Sequence, residues 1–351
     1  MAVDFALSDD QEAIADAFGS FFTNECPPDA VRAAEPLGHS PELWAKLQLM
    51  EAPGMAASVD AGGSGADLSA LLVVAEALGA AAAPVPLIEH WVSSRLLAGA
   101  EGFDAVVSGD DIATIALRPA SNGNWAVVPA GAIANVVIGV AGDSLVAVRN
   151  DAPGASPHNH AAAPIADRSV EGQRIELGPA AMLDAALDQW RTLTAGALVG
   201  IAQRALDIGV QYMLEREQFG KLIGSFQGLQ HGIADAPALI DGARFLAHKA
   251  AWAHGSGLVG GAGLVDPDDG YVTEFAPLAS MALLHASEAA AHVTDTSLHY
   301  HGGYGFSLEY DIQLYYRRAR GWSLVAGDPA TERLRLADLL WPQSNEVRGA
   351  A

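Results

Sequence analysis

The residues best suited to chemistry lie between Glu215 and Gln227, in a stretch that joins two apolar-periodic segments. It contains Arg216, Gln218 and Phe219 and is interrupted by two glycines. An arginine guanidinium can donate two parallel hydrogen bonds to one phosphate. We therefore expect a helix–loop–helix corner that holds an arginine, a buried aromatic side chain and a glutamine amide, suited to a phosphorylated or heteroaromatic ligand. An ordinary interhelical connection with a surface arginine fits the same spacing.

Two other patterns could carry chemistry but have simpler interpretations. The glycine run Gly62–Gly65 has neither a preceding strand nor a following lysine, so a plain turn is favoured over a phosphate cradle. His158 and His160 could form a metal pair, but no cysteine or third ligand lies nearby in the sequence. We therefore predict no metal site.

The composition is that of a globular protein with large buried cores. Of 351 residues, 50% are hydrophobic and only 17% are charged, which argues against disorder. The 19 Lys and Arg against 42 Asp and Glu give a net charge of −23, which disfavours nucleic acid and anionic membrane as partners. The single cysteine, Cys26, excludes an intrachain disulfide. The acidic N-terminus lacks signal-peptide features and no uninterrupted apolar run has transmembrane length, so we expect a cytoplasmic protein.

The hydrophobic periodicity divides the chain into three predicted domains and a mainly α fold with a small central β domain. Residues 1–108 are predicted to form an N-terminal helical domain, 109–178 a middle β-barrel-like domain and 179–351 a C-terminal four-helix bundle. Helices are expected from Phe5 to about Leu97, with Ser8 as the first cap. The predicted strands are Ile112–Leu117, Trp125–Val128, Asn135–Val140 and Ser144–Val148.

The carboxy-terminal half is predicted to be helical throughout. The long segments are Met182–Glu215, Gln227–Trp252 (kinked or broken early by Pro237) and Phe275–Tyr300. Gly255–Gly270 is expected to be a solvated connection. A last helix runs from Pro329 to Leu340, with Asp328 as its cap.

Two motifs in this half resemble those of the flavin-dependent acyl-CoA dehydrogenases. Arg216–Gly220 reads REQFG and His301–Phe306 reads HGGYGF, in order and correctly spaced on helices. Sequence segments similar to those of the family also occur in the N-terminal part, at Leu43–Leu47, Gly62–Gly65 and Glu76–Gly79. The resemblance covers nearly the whole chain.

The resemblance implies an FAD cofactor and α,β-dehydrogenation of an acyl-CoA thioester. In the family, a carboxylate removes the α proton, the β hydride passes to the flavin, and an electron-transfer flavoprotein or similar acceptor reoxidises it. The residue matching Arg216 reaches across a subunit interface to the flavin pyrophosphate. Those matching Gln218 and Phe219 flank the adenine side, and the segment His299–Gly303 lies against it. The predicted cofactor-binding residues are therefore Arg216, Gln218, Phe219, Gln227, His299, Gly302 and Gly303.

The sequence departs from the family at both positions that carry the catalytic carboxylate. Ala326 stands where the usual glutamate precedes the glycine of the final helix, and Trp190 stands at the alternative position before Arg191. Arg191 is a candidate for substrate binding. The family's Thr-Glu-Pro and Gly-Ser-Asp signature, which holds the flavin ring and the acyl carbonyl, is missing near Ile115–Asn122.

These departures favour a chain that completes the flavin site of a different, full-length subunit. Such shortened partners occur in heteromeric actinobacterial steroid dehydrogenases, which this chain resembles, with a heterotetramer as the expected assembly. Two alternatives stay open: a homomeric enzyme with Asp328 as an unusual base, and a flavin-free scaffold. Glu309 and Glu332 are interpreted as solvated helix charges. Arg317, Arg318 and Arg320 are interpreted as salt-bridge partners rather than a CoA phosphate site. The acyl group, from fatty acid or steroid catabolism, is not specified.

Overall fold

A computed structural model of the chain describes residues 7–256 and 274–341. The predicted helix start at Phe5 and most of the predicted connection Gly255–Gly270 lie outside these residues. The helices are α1 Asp9–Glu25, α2 Pro28–Ala34, α3 Pro41–Leu49, α4 Leu68–Ala80, α5 Leu87–Leu96, α6 Asp104–Val107, α7 Met182–Glu215, α8 Gln227–Ala234, α9 Ala236–Gly255, α10 Phe275–Tyr300, α11 Ile312–Leu324 and α12 Pro329–Leu340. The strands are β1 Ala113–Ile115, β2 Asn124–Val128, β3 Val136–Ala141, β4 Ser144–Arg149, β5 Ala166–Ser169, β6 Gln173–Pro179, β7 Glu217–Gln218 and β8 Lys221–Leu222.

The chain forms two compact units. The bundle unit comprises Met1–Gly19, Leu72–Ala82 and Arg191–Ala351, and the sheet unit comprises Ser20–Leu71 and Ala83–Trp190. The mainly α fold with a small central β domain is confirmed. The three-domain division stays a prediction.

The predicted β-barrel-like domain consists of two separate sheets in the sheet unit, and its described strands do not close into a barrel. One has the order β1-β3-β4-β6, with β1 parallel to β3, and the other pairs β2 with β5. Trp125 of β2 is fully buried between them and donates its indole N–H to the Val140 carbonyl at 2.9 Å. A Cβ on Gly139 would lie 2.6 Å from the same indole nitrogen, so this strand position requires glycine. The indole is thus the centre of the small β core.

The bundle unit is built around α10, which packs against α9, α11 and α12. The later part of α4 crosses α7 with almost no space between their backbones. A Cβ on Gly79 would lie 1.9 Å from the Ala197 carbonyl oxygen, and one on Gly200 would lie 2.0 Å from that of Glu76. Glu76 also pairs with Arg244 of α9 at 3.0 Å. The segment Glu76–Gly79 is therefore part of the close crossing of α4 and α7.

Helix α7 is the longest helix among the described residues. Among the described residues it is long and apolar enough by composition to cross a membrane, but 72% of its apolar window is buried inside the protein. Such burial is typical of the core helix of a bundle. Leu193, Leu198, Ile201 and Leu206 of this helix are buried, whereas Val210 is 39% exposed.

Candidate functional site

The predicted loop after α7 is a β-hairpin. Its two-residue turn consists of Phe219 and Gly220, between the pairs Glu217–Leu222 and Gln218–Lys221. Both turn residues have positive φ, 55° and 77°, which is the geometry of a type I′ turn. The backbone of Arg216 fixes the base of the hairpin, since its N–H donates to Tyr212 and its carbonyl accepts from Ile223 at 2.8 Å.

The expectation of a buried aromatic side chain in this stretch is wrong. Phe219 is 92% exposed because the turn points it away from the bundle. It meets the half-buried Phe226 edge to face, with centroids 6.3 Å apart, and the Lys221 ammonium lies 4.5 Å from the Phe226 ring. The hairpin therefore presents a large aromatic ring to solvent in a conformation that phenylalanine rarely adopts.

Arg216 is half-buried and carries an uncompensated charge. Within residues 7–256 and 274–341 it forms no ion pair, although the chain has a net charge of −23. Its guanidinium carbon lies 5.6 Å from the centre of the Tyr304 ring. The N–H donors of this arginine are thus available for an anion such as a phosphate.

The other predicted site residues lie on neighbouring elements of the bundle unit. Gln227 is exposed at the first position of α8, and His299 is exposed in the last turn of α10. The Tyr300 hydroxyl donates to the Leu229 carbonyl at 2.8 Å, which ties α10 to α8. We call the set formed by Arg216, the hairpin Glu217–Leu222, the first turn of α8 and His299–Phe306 the arginine corner.

Gly302 and Gly303 open a 3-10 turn, Gly302–Phe306, and both are exposed. Gly302 has a φ of 58°, and a Cβ at either glycine would meet no atom within 4 Å. The turn therefore leaves open space at the surface. Gln218 folds its side-chain amide back onto the Glu217 carbonyl at 2.6 Å.

Sequence reasoning missed a cluster of rings behind the arginine corner. His301 stacks on Tyr212 at 4.0 Å, and Tyr310 meets both rings as well as Tyr304. Burial lowers the pKa of His301, whose Nδ1 lies 2.7 Å from the Ser297 carbonyl oxygen. The imidazole is therefore neutral and donates from Nδ1. The spacing of Tyr212 four residues before Arg216, on one helix face, was an available signal.

The position of Ala326 offers no proton acceptor. The next residue, Gly327, has a φ of 124°, and Asp328 uses a carboxylate oxygen to accept the Ala330 N–H at 2.8 Å. The predicted cap role of Asp328 is confirmed. Its carboxylate serves the start of α12.

Arg191 and Glu332 form an ion pair at 2.9 Å, with side chains only 11% and 12% exposed. Glu332 also accepts the Ser280 hydroxyl and lies 3.5 Å from Arg335. The interpretation of Glu332 as a solvated charge is wrong because three partners hold it inside the bundle. Arg191, the candidate for substrate binding, has its Nε 2.9 Å from this carboxylate.

Arg320 pairs with Asp295 at 3.3 Å, as its interpretation as a salt-bridge partner expects. Arg318 is 1% exposed and donates to the Leu314 carbonyl. Arg317 donates to Gln313 at 2.8 Å. These contacts hold the three side chains within α11 and the bundle.

At the second carboxylate position the sheet unit holds a pair of side chains that the sequence did not predict. Trp190 is 3% exposed and donates its indole N–H to Glu89 Oε1 at 3.0 Å. Burial raises the pKa of Glu89, the indole hydrogen bond opposing it. We call these two residues the indole pair.

The segment Ile115–Asn122 offers few free groups. The Ala116 and Ala120 N–H groups donate to Ile138 and Val140, and the adjacent Thr114 hydroxyl donates to Pro129. The glycine run is also a closed turn, as predicted, because the Ser64 and Gly65 N–H groups donate to protein carbonyls. Neither segment is arranged to bind an anion through its backbone.

Comparison with known proteins accounts for this arrangement. The profile of the acyl-CoA dehydrogenase N-terminal domain matches residues 8–100, and that of the C-terminal domain matches residues 178–340. Acyl-CoA dehydrogenase IpdE2 of Mycolicibacterium smegmatis is 30% identical over 338 residues, which are 94% of this chain and 98% of the relative.

Among solved structures, a variant of the Tcur3481–Tcur3483 steroid ACAD has a TM-score of 0.82 and 27% identity, covering 96% of this chain and 99% of that chain. The ChsE4–ChsE5 complex of Mycobacterium tuberculosis has the same fold, with a TM-score of 0.81 at 23% identity over 96% of this chain and 99% of that chain. With both domain profiles matched and a relative similar over nearly its whole length, the chain belongs to the acyl-CoA dehydrogenase family, whose members are flavoprotein oxidoreductases.

Proposed function

We propose that this chain is a subunit of an FAD-dependent acyl-CoA dehydrogenase and completes the flavin site of a partner chain. The reaction is α,β-dehydrogenation of an acyl-CoA thioester, with a steroid side-chain ester as the expected class. One combination of features carries the proposal. The Arg216 guanidinium forms no ion pair within residues 7–256 and 274–341, whereas Ala326 and Trp190 stand at the two expected carboxylate positions.

The donor set of the arginine corner fits the nucleotide half of FAD. Arg216 can donate two hydrogen bonds to the pyrophosphate, and its positive charge opposes the phosphate charge. The exposed ring of Phe219 and the amides of Gln218 and Gln227 suit the adenine side, with His299, Gly302 and Gly303 leaving room beside them. When bound, FAD supplies the two-electron acceptor for the dehydrogenation.

On the side expected to hold the flavin ring, this chain offers few hydrogen-bonding groups that are not already engaged. The Thr114 hydroxyl and the nearest backbone N–H groups are engaged within the β sheets. Arg191 is engaged with Glu332, so it does not serve an acyl-CoA ligand here. The isoalloxazine ring and the thioester therefore need their partners from the full-length subunit.

The names of the relatives support the substrate class and the partner. One relative by sequence is an acyl-CoA dehydrogenase, one similar structure is a steroid ACAD, and another is a two-component complex. We expect a cytoplasmic heterotetramer that passes electrons to an electron-transfer flavoprotein or similar acceptor.

The visible spectrum tests the proposal. The chain is purified alone and together with the product of a neighbouring acyl-CoA dehydrogenase gene. Flavin absorbance only in the co-purified pair supports the proposal. Yellow, active protein from this chain alone contradicts it, and a colourless pair points to a flavin-free scaffold.

The indole pair favours a second candidate, a chain with its own catalytic carboxylate. A glutamate with a raised pKa suits a general base at neutral pH, and Glu89 touches the side chain at the alternative family position. Asp328 is a weaker base candidate because its carboxylate caps α12. Glu89→Gln separates the candidates, since glutamine can still accept from the Trp190 indole. Abolished turnover in the flavin-loaded pair favours the second candidate, and unchanged turnover favours the first.

A further inference from the structure

Arg216 lacks the partner that ordinarily fixes the direction of a guanidinium. Among the described residues it has no carboxylate within ion-pair distance, and its hydrogen bonds, to Tyr212 and Ile223, are made by the backbone and not by the side chain. A flexible arginine loses rotamer entropy when it binds a phosphate. A contact that orients the guanidinium in advance reduces this loss.

Tyr304 provides such a contact. The guanidinium carbon lies 5.6 Å from its ring centre, inside the range of about 6 Å for a cation–π interaction. Tyr304 is 50% exposed, so the contact lies at the surface, where the guanidinium can also reach a ligand.

The Tyr304 ring is itself held from behind. Tyr310 lies 5.6 Å from it and meets His301 edge-on at 5.8 Å. His301 is buried and stacked on Tyr212, one helical turn before Arg216. The rings therefore connect the HGGYGF turn to the end of α7, and the neutral imidazole does not repel the guanidinium.

We propose that Tyr304 is a positioning residue that holds the Arg216 guanidinium in place for the flavin pyrophosphate of the partner chain. The inference rests on the proposed function of Arg216. It assigns a role to a tyrosine that touches the arginine rather than the reacting atoms.

The test is a double-mutant cycle in the assembled pair, with the dissociation constant of added FAD measured on flavin-stripped protein. Tyr304→Leu should weaken FAD binding roughly twofold to fivefold, the range of a surface cation–π contact. Tyr304→Phe keeps the ring face and should bind FAD as tightly as wild type. In an Arg216→Ala background, Tyr304→Leu should have no further effect.

The contrary results distinguish a failure of the positioning role of Tyr304 from a failure of the proposed function of Arg216. An equal loss from Tyr304→Leu with and without Arg216 overturns the positioning role, because the tyrosine then acts independently. No loss from Tyr304→Leu, while Arg216→Ala releases FAD, overturns this inference and leaves the proposed function intact. No loss from Arg216→Ala overturns both. Unchanged thermal melting of the Tyr304 variants shows that folding is unaffected.

Discussion

The arginine corner and the indole pair differ in the exposure and the bonding of their side chains. Among the residues that the structure describes, the guanidinium of the corner has no carboxylate partner, and its phenylalanine is 92% exposed. The indole pair withdraws Trp190 to 3% exposure and bonds it to a glutamate of the same unit. The chain thus holds a half-buried guanidinium and an exposed aromatic ring in one region and a buried indole bonded to a carboxylate in the other. Substitutions should separate the two regions, one affecting stability and the other cofactor binding.

The largest effect is expected at the indole pair. Trp190→Ala removes a buried aromatic side chain and leaves a cavity, so the free energy of unfolding should fall by about 3–5 kcal/mol. Urea denaturation measures it. Trp341→Ala is the matched control, because that indole is 64% exposed and its loss should change stability by less than about 0.5 kcal/mol. Equal losses would show that Trp190 is not a core residue.

The next largest effect is the pH dependence of stability that His90 causes. His90 follows Glu89 on α5. Burial lowers the pKa of His90 to about 4, and its two ring nitrogens contact Val106 and Ala113. Between pH 6.5 and about 4 the unfolded chain binds a proton that the folded chain does not, so stability should fall as pH decreases across this window.

Below about pH 4 the contribution of His90 should level off at a loss of about 3 kcal/mol. Burial also lowers the pKa of His39 to about 4, so this residue should add to the same dependence of stability on pH. Denaturation at several pH values in His90→Gln should give a shallower slope than wild type. An identical slope would contradict the buried, neutral state of His90.

A substitution in the arginine corner should weaken cofactor binding and leave stability nearly unchanged. Arg216→Ala in the assembled pair should weaken FAD binding by about tenfold to a hundredfold, since a charge-assisted hydrogen bond contributes about 1.5–3 kcal/mol. Its unfolding free energy should stay within about 0.5 kcal/mol of wild type. Arg333→Ala removes an exposed arginine paired with Glu288 and should change neither quantity. Equilibrium dialysis with FAD provides the measurement.

The smallest effect distinguishes folding from function at the hairpin turn. Phe219→Asn places Asn-Gly in the type I′ turn, and asparagine tolerates positive φ better than phenylalanine. The isolated chain should gain about 0.5–1 kcal/mol of stability while the pair retains less FAD. A destabilised chain with unchanged FAD binding would show that the exposed ring serves the fold.

Local signals made much of the fold predictable from sequence. Helices α7, α10 and α12 begin and end where the sequence places them. Asp328 and Pro329 mark the start of α12, and Gly302 and Gly303 follow the end of α10. Pro237 does break its helix early, at Asp235, as one of the two expected outcomes. The arginine corner was found through its motifs, whose residues are close in sequence.

What the sequence missed depends on distant contacts or on weak patterns. Strands β5 and β6 carry exposed and charged residues, so alternation did not reveal them. The bond between Trp190 and Glu89 joins residues 101 positions apart. Phe219 was expected to be buried because it is apolar, whereas the turn geometry decides its direction. Glu332 was expected in solvent because it is charged, whereas Arg191 pairs with it inside the bundle.

The ratio of flavin to polypeptide in the purified, flavin-saturated pair tests the central claim most directly. If this chain completes the partner's site and holds no flavin ring of its own, the pair should bind about one FAD for every two chains. The ratio is obtained from the absorbance of flavin released on denaturation and the protein concentration by amino-acid analysis. One FAD for every chain would show that this chain builds a complete flavin site and would contradict the account.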